Sequence, residues 1–215
     1  MYRLIVFDLD GTLVDSRRDI ADAANALLQS SGLEPLPEET IGRMVGDGAA
    51  TLVKRSFAAA GRDAPPDALE RFLAIYDRHL LAHTKPYPGA EDVLRTLSSR
   101  AHVAVLTNKP TRATHRLLSG LQLAPFFPRA AVVGGDGPYP RKPDPAGLQH
   151  LMTAAGVEPD QTLLVGDSII DLRTARHASA HICIARYGFG YDGFPLDAIT
   201  ERDCVIDELT ELLRL

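Results

Sequence analysis

Residues 4–16 read LIVFDLDGTLVDS. Four apolar residues, Leu4 to Phe7, are followed at once by Asp8 and Asp10, and a glycine comes directly after the second acid. A short apolar run bounded by turn-forming residues reads as a strand buried on both faces, the habit of parallel sheets. Two carboxylates at the end of such a strand are costly, because burial and mutual repulsion both oppose their charge. Gly11 permits a tight turn and a close backbone approach to a ligand, and successive amide hydrogens there can form an anion-binding nest. Acids and a nest at a strand end point to an α/β sheet that keeps its site at the carboxyl ends of its strands.

Four further apolar runs have the same character: Val103–Leu106, Ala130–Val133, Thr162–Val165 and Ile182–Ala185. Helix-length segments separate the later ones, as right-handed crossovers require. Helices are expected over Pro110–Ser119 with Gly120 past its end, Pro145–Ala155 closing at Gly156, Asp171–Ala178 and Asp207–Leu213. The fold class is therefore α/β, a doubly wound, mostly parallel sheet. Residues 14–83 hold no strand-like run. Asp19–Ser30 carries Ile20, Ala23, Ala24, Leu27 and Leu28 at helical spacing, and helices over Thr40–Phe57 and Asp67–Leu81 follow. That is too much chain for one crossover. Residues 15–85 are expected to form a small all-helical cap standing over the first strand's end, with 1–14 and 86–215 forming the core.

The 215 residues suffice for a full hydrophobic core, and 45% apolar with 24% charged residues is an ordinary globular profile. A net charge of -5 argues against nucleic acid as a partner but leaves small anions open. Cys183 and Cys204 are the only cysteines, which suits a reducing compartment and supplies no metal-binding cluster. They are expected on a strand and beside a helix cap. No run approaches a membrane span, and MYRLIVFDLD reaches its acids too early for a signal peptide, so a cytoplasmic protein without membrane contact is expected.

The acids recur at the fourth strand's end, in GDSIID, as Asp167 and Asp171, one helical turn apart. If the first and fourth strands are neighbours, four carboxylates share a small volume, and a hard divalent cation relieves their repulsion. Mg2+ suits oxygen ligands and accepts phosphate oxygens, while the absence of a histidine cluster disfavours zinc. Thr107 and Asn108 follow the second strand directly, ahead of a helix start whose amides attract anions. Alone, that pair would be a helix cap. Lys142, in PRKPDP, would alone be a loop charge, but among four acids it offsets their charge and reaches a phosphate oxygen. Lys109 is expected to face solvent.

These segments together resemble the motifs of the haloacid dehalogenase superfamily: DLDGT, the strand ending in Thr107, the Lys142 of RKP, and GDSIID. TNKP, GGDGPYPRKP and YGFG are similar to its phosphoglycolate phosphatase branch. The resemblance implies a Mg2+-dependent phosphomonoester hydrolase, with 2-phosphoglycolate the leading substrate, acting through an aspartyl-phosphate on Asp8. Asp10 would then be the acid and base, with its backbone carbonyl a metal ligand. Asp8 and Asp167 would bind the metal by their carboxylates, and Asp171 would hold a metal-bound water or Lys142. Thr107, the Asn108 amide and Lys142 would take the phosphate oxygens. A cap cation for a substrate carboxylate is sought in Arg43 and Lys54, which flank the turn MVGDG, while His79 and His83 are given a surface or hinge role. Another small phosphoester, pyrophosphate, β-phosphoglucomutase-like transfer and a non-catalytic module on the same fold stay open, as does a monomer or homodimer.

Overall fold

The structure, a computed structural model, describes residues 2–215. Its strands are β1 (Leu4–Phe7), β2 (Val14–Asp15), β3 (Lys85–Pro86), β4 (His102–Leu106), β5 (Val132–Val133), β6 (Thr162–Gly166), β7 (His181–Ala185) and β8 (Cys204–Ile206). Its helices are α1 (Arg17–Ser30), α2 (Glu38–Gly42), α3 (Ala49–Ala59), α4 (Ala68–His79), α5 (Ala90–Ser98), α6 (Thr111–Gly120), α7 (Ala146–Ala155) and α8 (Ile169–His177). Six strands form one parallel sheet in the order β5-β4-β1-β6-β7-β8.

The central position of β1 explains its unbroken apolar run. Leu4 and Val6 pack with Leu148, Leu151 and Leu172, while Ile5 and Phe7 join a second cluster with Leu94, Leu97 and Leu117. That second cluster continues into the helical segment through Leu27, Phe57 and Phe72. Helices α1 to α4 therefore sit on the core rather than hang from it.

Several boundaries differ from expectation. A sixth strand, β8, pairs with β7 at the sheet edge, and Cys204 lies on it opposite Cys183 rather than beside a helix cap. Three residues after the polar TERD are too few to register as an apolar run. Ala130 and Ala131 belong to a 3-10 turn, which leaves only two residues for β5, and the chain ends in a 3-10 helix over Leu209–Arg214. Gly120 is the last residue of α6, and a side chain there would run into Leu81. The helix expected over Thr40–Phe57 is broken, because Gly46 and Gly48 take φ of +121° and +87° between α2 and α3. Such values end a helix and suit glycine.

The helical segment leaves and rejoins the core at one place. β2 pairs antiparallel with β3, Val14 opposite Pro86 and Asp15 opposite Lys85. Beside them the buried Asp19 carboxylate accepts from the amides of His83 (2.9 Å) and Thr84 (2.8 Å) and from the Thr84 hydroxyl (2.6 Å). His83 thus stands at the crossing through its backbone. Among the described residues, no helix is long and apolar enough to cross a membrane.

Candidate active site

Because β1 lies between β4 and β6, Phe7 is level with Val105 on one side and Val165 on the other. The residues that follow converge above the sheet. The Asp8 amide donates to the Val165 carbonyl at 2.8 Å, which carries the β1 ladder one residue past the strand and sets the carboxylate beside β6. Carboxylate oxygens of Asp8, Asp167 and Asp171 lie within 4.8 Å of one another, and all three residues are buried. Gly11, at φ +87°, makes this approach possible: a Cβ there would collide with the Asp167 carboxylate.

One lysine serves the cluster from below. Lys142 Nζ stands 2.8 Å from Asp8 Oδ1 and 2.6 Å from Asp171 Oδ1. The other oxygen of Asp171 accepts from the Ser168 amide (3.1 Å) and hydroxyl (2.6 Å), completing a capping box at the start of α8. Both Asp171 oxygens are therefore engaged by protein donors, which suits holding Lys142 better than direct ligation. Burial opposes the Lys142 charge, but Asp171 and Asp8 outweigh it and raise its pKa. Burial is also the main force on the acids. It pushes Asp8 up to about 7, against Lys142 and with help from Asp171, and holds Asp167 well above the usual carboxylate range, with Asp8 and Asp171 adding to it.

Asp10 lines the same cavity but stands outside this cluster of three, and it has its own partners. Its carboxylate accepts from Ser16 Oγ at 2.5 Å and from Lys109 Nζ at 2.9 and 3.1 Å. The expectation for Lys109 was wrong: it is 7% exposed, and its ammonium also donates to the Tyr76 hydroxyl at 2.6 Å. Third after a strand and just before a helix-starting proline, it had no periodic pattern to mark it as buried. Burial pushes the Tyr76 phenol up to about 12, although Lys109 opposes the shift, so it stays a neutral hydroxyl.

Thr107 and Asn108 are buried at the tip of β4. The Asn108 side chain is fully committed: Oδ1 accepts from the Lys142 amide (2.9 Å), and Nδ2 donates to the carbonyls of Lys142 (2.9 Å) and Gly46 (2.8 Å). It ties the lysine loop to the sheet and to the turn between α2 and α3, leaving only its backbone amide for an anion.

The helical segment closes the site with an apolar wall. Ile20, Val45, Leu52, Phe72 and Leu73 line the cavity with Asp8, Asp10, Asp167, Thr107, Asn108 and Lys109. Arg43 and Lys54 do not line it. Arg43 is drawn 2.5 Å from Asp192 on the outer rim, and Lys54 is exposed on α3, one step round the helix from the buried Leu52 and Val53. The loop Tyr187–Tyr191 rims the site: the Gly190 amide donates to Asp167 at 2.7 Å and Tyr187 to the Thr12 carbonyl at 2.9 Å. Its Gly- and Tyr-rich composition was the only mark of it in the sequence.

This geometry meets its counterpart in known proteins. The model of the haloacid dehalogenase-like hydrolase family matches residues 5–185. The chain belongs to that family. Within the haloacid dehalogenase-like hydrolases it falls in the phosphoglycolate phosphatase branch. It is 45% identical over 198 residues to a phosphoglycolate phosphatase of Rhodospirillum rubrum, covering 88% of this chain and 81% of that one. A phosphoglycolate phosphatase of Pseudomonas putida is 41% identical over 217 residues, covering 98% and 78%. A crystal structure of a predicted phosphoglycolate phosphatase from Haemophilus somnus superposes with a TM-score of 0.91 at 29% identity, covering 99% and 97%. This haloacid dehalogenase-like hydrolase is a phosphatase.

The donor set fits Mg2+. Asp8 and Asp167 offer carboxylate oxygens within 4.8 Å of one another, close enough to share one ion, and their upward pKa shifts mark a cost that a divalent cation relieves. The sign of the pH effect follows. A folded pKa above the unfolded value means that the metal-free fold binds extra protons, so these acids erode its stability as pH rises from the ordinary carboxylate range through about 7. The rise in Tm produced by Mg2+ over chelator is therefore expected to be wider at about pH 8 than at about pH 5. A gap independent of pH in thermal unfolding would contradict the shared site.

Proposed function

We propose that the enzyme hydrolyses 2-phosphoglycolate through an aspartyl-phosphate on Asp8. The observation that carries the proposal is the Asp8 carboxylate at the cavity floor, held 2.8 Å from Lys142 and within metal-sharing distance of Asp167. When bound, Mg2+ would supply positive charge to the phosphate and to Asp8, with the Asp8 and Asp167 carboxylates and the Asp10 carbonyl as its protein ligands. An Asp8 oxygen attacks phosphorus, the ester oxygen departs, and Asp10 gives it a proton. Asp10 then takes a proton from the water that cleaves the acyl phosphate. Lys142, Thr107 and the Asn108 amide hold the phosphoryl oxygens as their charge redistributes.

The cavity wall argues for a small substrate with few hydroxyls. A sugar phosphate would leave several hydroxyls against Ile20, Val45, Leu52, Phe72 and Leu73, where they find no partners. A substrate carboxylate has a candidate partner at Gly48–Ala49, which line the cavity and begin α3, where first-turn amides are free donors. This replaces the role first sought in Arg43 and Lys54. The proposal also follows the names of the curated relatives, which are phosphoglycolate phosphatases.

The test is a phosphate-release screen with Mg2+ over 2-phosphoglycolate, sugar phosphates and pyrophosphate. The expected result is a kcat/KM for 2-phosphoglycolate at least about a hundredfold above any sugar phosphate, the scale on which unpaired buried polar groups discriminate. A preference for a sugar phosphate would overturn the substrate and leave the phosphatase chemistry standing.

A further inference from the structure

Lys109 is buried at the cavity, yet none of the phosphoryl chemistry above employs it. Its ammonium has three hydrogens and three acceptors: Asp10 Oδ1 at 2.9 Å, Asp10 Oδ2 at 3.1 Å and the Tyr76 hydroxyl at 2.6 Å. It also stands 4.5 Å from the centroid of the Tyr76 ring. The three partners come from different parts of the molecule. Lys109 follows β4 in the core, Asp10 follows β1, and Tyr76 lies on α4 in the helical segment. Ser16, at the crossing between the two parts, holds the same Asp10 carboxylate at 2.5 Å.

A carboxylate that must present a proton to a departing oxygen needs a fixed direction, since misplacement by about 1 Å costs on the order of a hundredfold. A lysine on its four-carbon stem is a flexible point charge and aims poorly by itself. Asp8 and Asp167 line the same cavity and would compete for a loose ammonium. Tyr76 removes that freedom by taking one hydrogen and one face of the charge.

We infer that Lys109 is a positioning residue for Asp10, and that Tyr76 makes this positioning conditional on α4 being seated over the core. The inference rests on the reading of Asp10 as proton donor. The Lys109–Tyr76 contact reports to the acid that the helical segment is in place. Asn108 adds a second link between the same two parts, through its bond to the Gly46 carbonyl.

The test separates positioning from general support by leaving-group dependence. kcat/KM ends at the first irreversible step, departure of the alcohol, so only that step's need for a proton is read. Tyr76→Phe keeps the ring and removes the hydroxyl. With Mg2+ it is expected to lower kcat/KM for an alkyl phosphate about tenfold and that for 4-nitrophenyl phosphate less than about threefold, because the good leaving group needs little protonation. Lys109→Met should exaggerate the same pattern, and Asp10→Asn supplies its full extent. Equal losses on both esters in Tyr76→Phe, or a loss in KM alone, would overturn the inference even if Lys109→Met fails to fold. If Asp10→Asn itself shows no such selectivity, the reading of Asp10 falls and the inference with it, while Mg2+-dependent turnover by the unchanged enzyme keeps the phosphatase reading in place.

Discussion

Asp8→Asn is expected to cut turnover of every phosphoester at least about ten-thousand-fold, because an amide neither attacks phosphorus nor carries the charge that a cation needs. The fold should survive. Burial already pushes the Asp8 carboxyl toward its neutral form, so a neutral isostere suits the position, and Lys142 keeps Asp171 at 2.6 Å. Intact-mass measurement on rapidly quenched enzyme checks the route as well as the rate. The unchanged protein should gain one phosphoryl mass during turnover and the variant none. A variant that kept turnover within tenfold, or still gained the mass, would move the nucleophile elsewhere.

The second large effect belongs to Lys142. Its side chain is 3% exposed and shared between two buried acids. Removing one partner of such a group leaves uncompensated charge, at a cost of about 3–5 kcal/mol. Lys142→Met is therefore expected to lose that much stability in chelator, and to lose about a thousandfold in turnover when Mg2+ is restored. Adding Asp171→Asn to it should recover part of the stability, since one stranded charge disappears, while activity stays low because the phosphate contact is still missing. Recovery of both together would mean that Lys142 only supports the fold. Denaturant unfolding and phosphate release on the same preparations distinguish the two.

Much of this site was legible in the chain because its residues occupy positions where ordinary structure has no use for them. Asp8 and Asp10 interrupt an apolar run, and Asp167 repeats the interruption at the end of β6, with Asp171 in the first turn of α8. Lys109 carried no such mark. A lysine in a turn before a helix is ordinarily solvated, and its burial depends on Asp10 and Tyr76, which lie 99 and 33 residues away. Arg43 was misjudged for the opposite reason: its charge next to the MVGDG turn suited a ligand, but Asp192, 149 residues on, offered a nearer partner at the rim.

Local pattern alone determined that this chain has a buried strand ending in acids, a second pair of acids in GDSIID, and helices where a single crossover would not suffice. Those are properties of short windows, where apolar spacing and the cost of gathering like charges act directly. Only the tertiary structure decided which charges face the cavity and which turn away. Each long basic side chain can reach several partners, and the packing of α4 and the rim loop settles which one it meets.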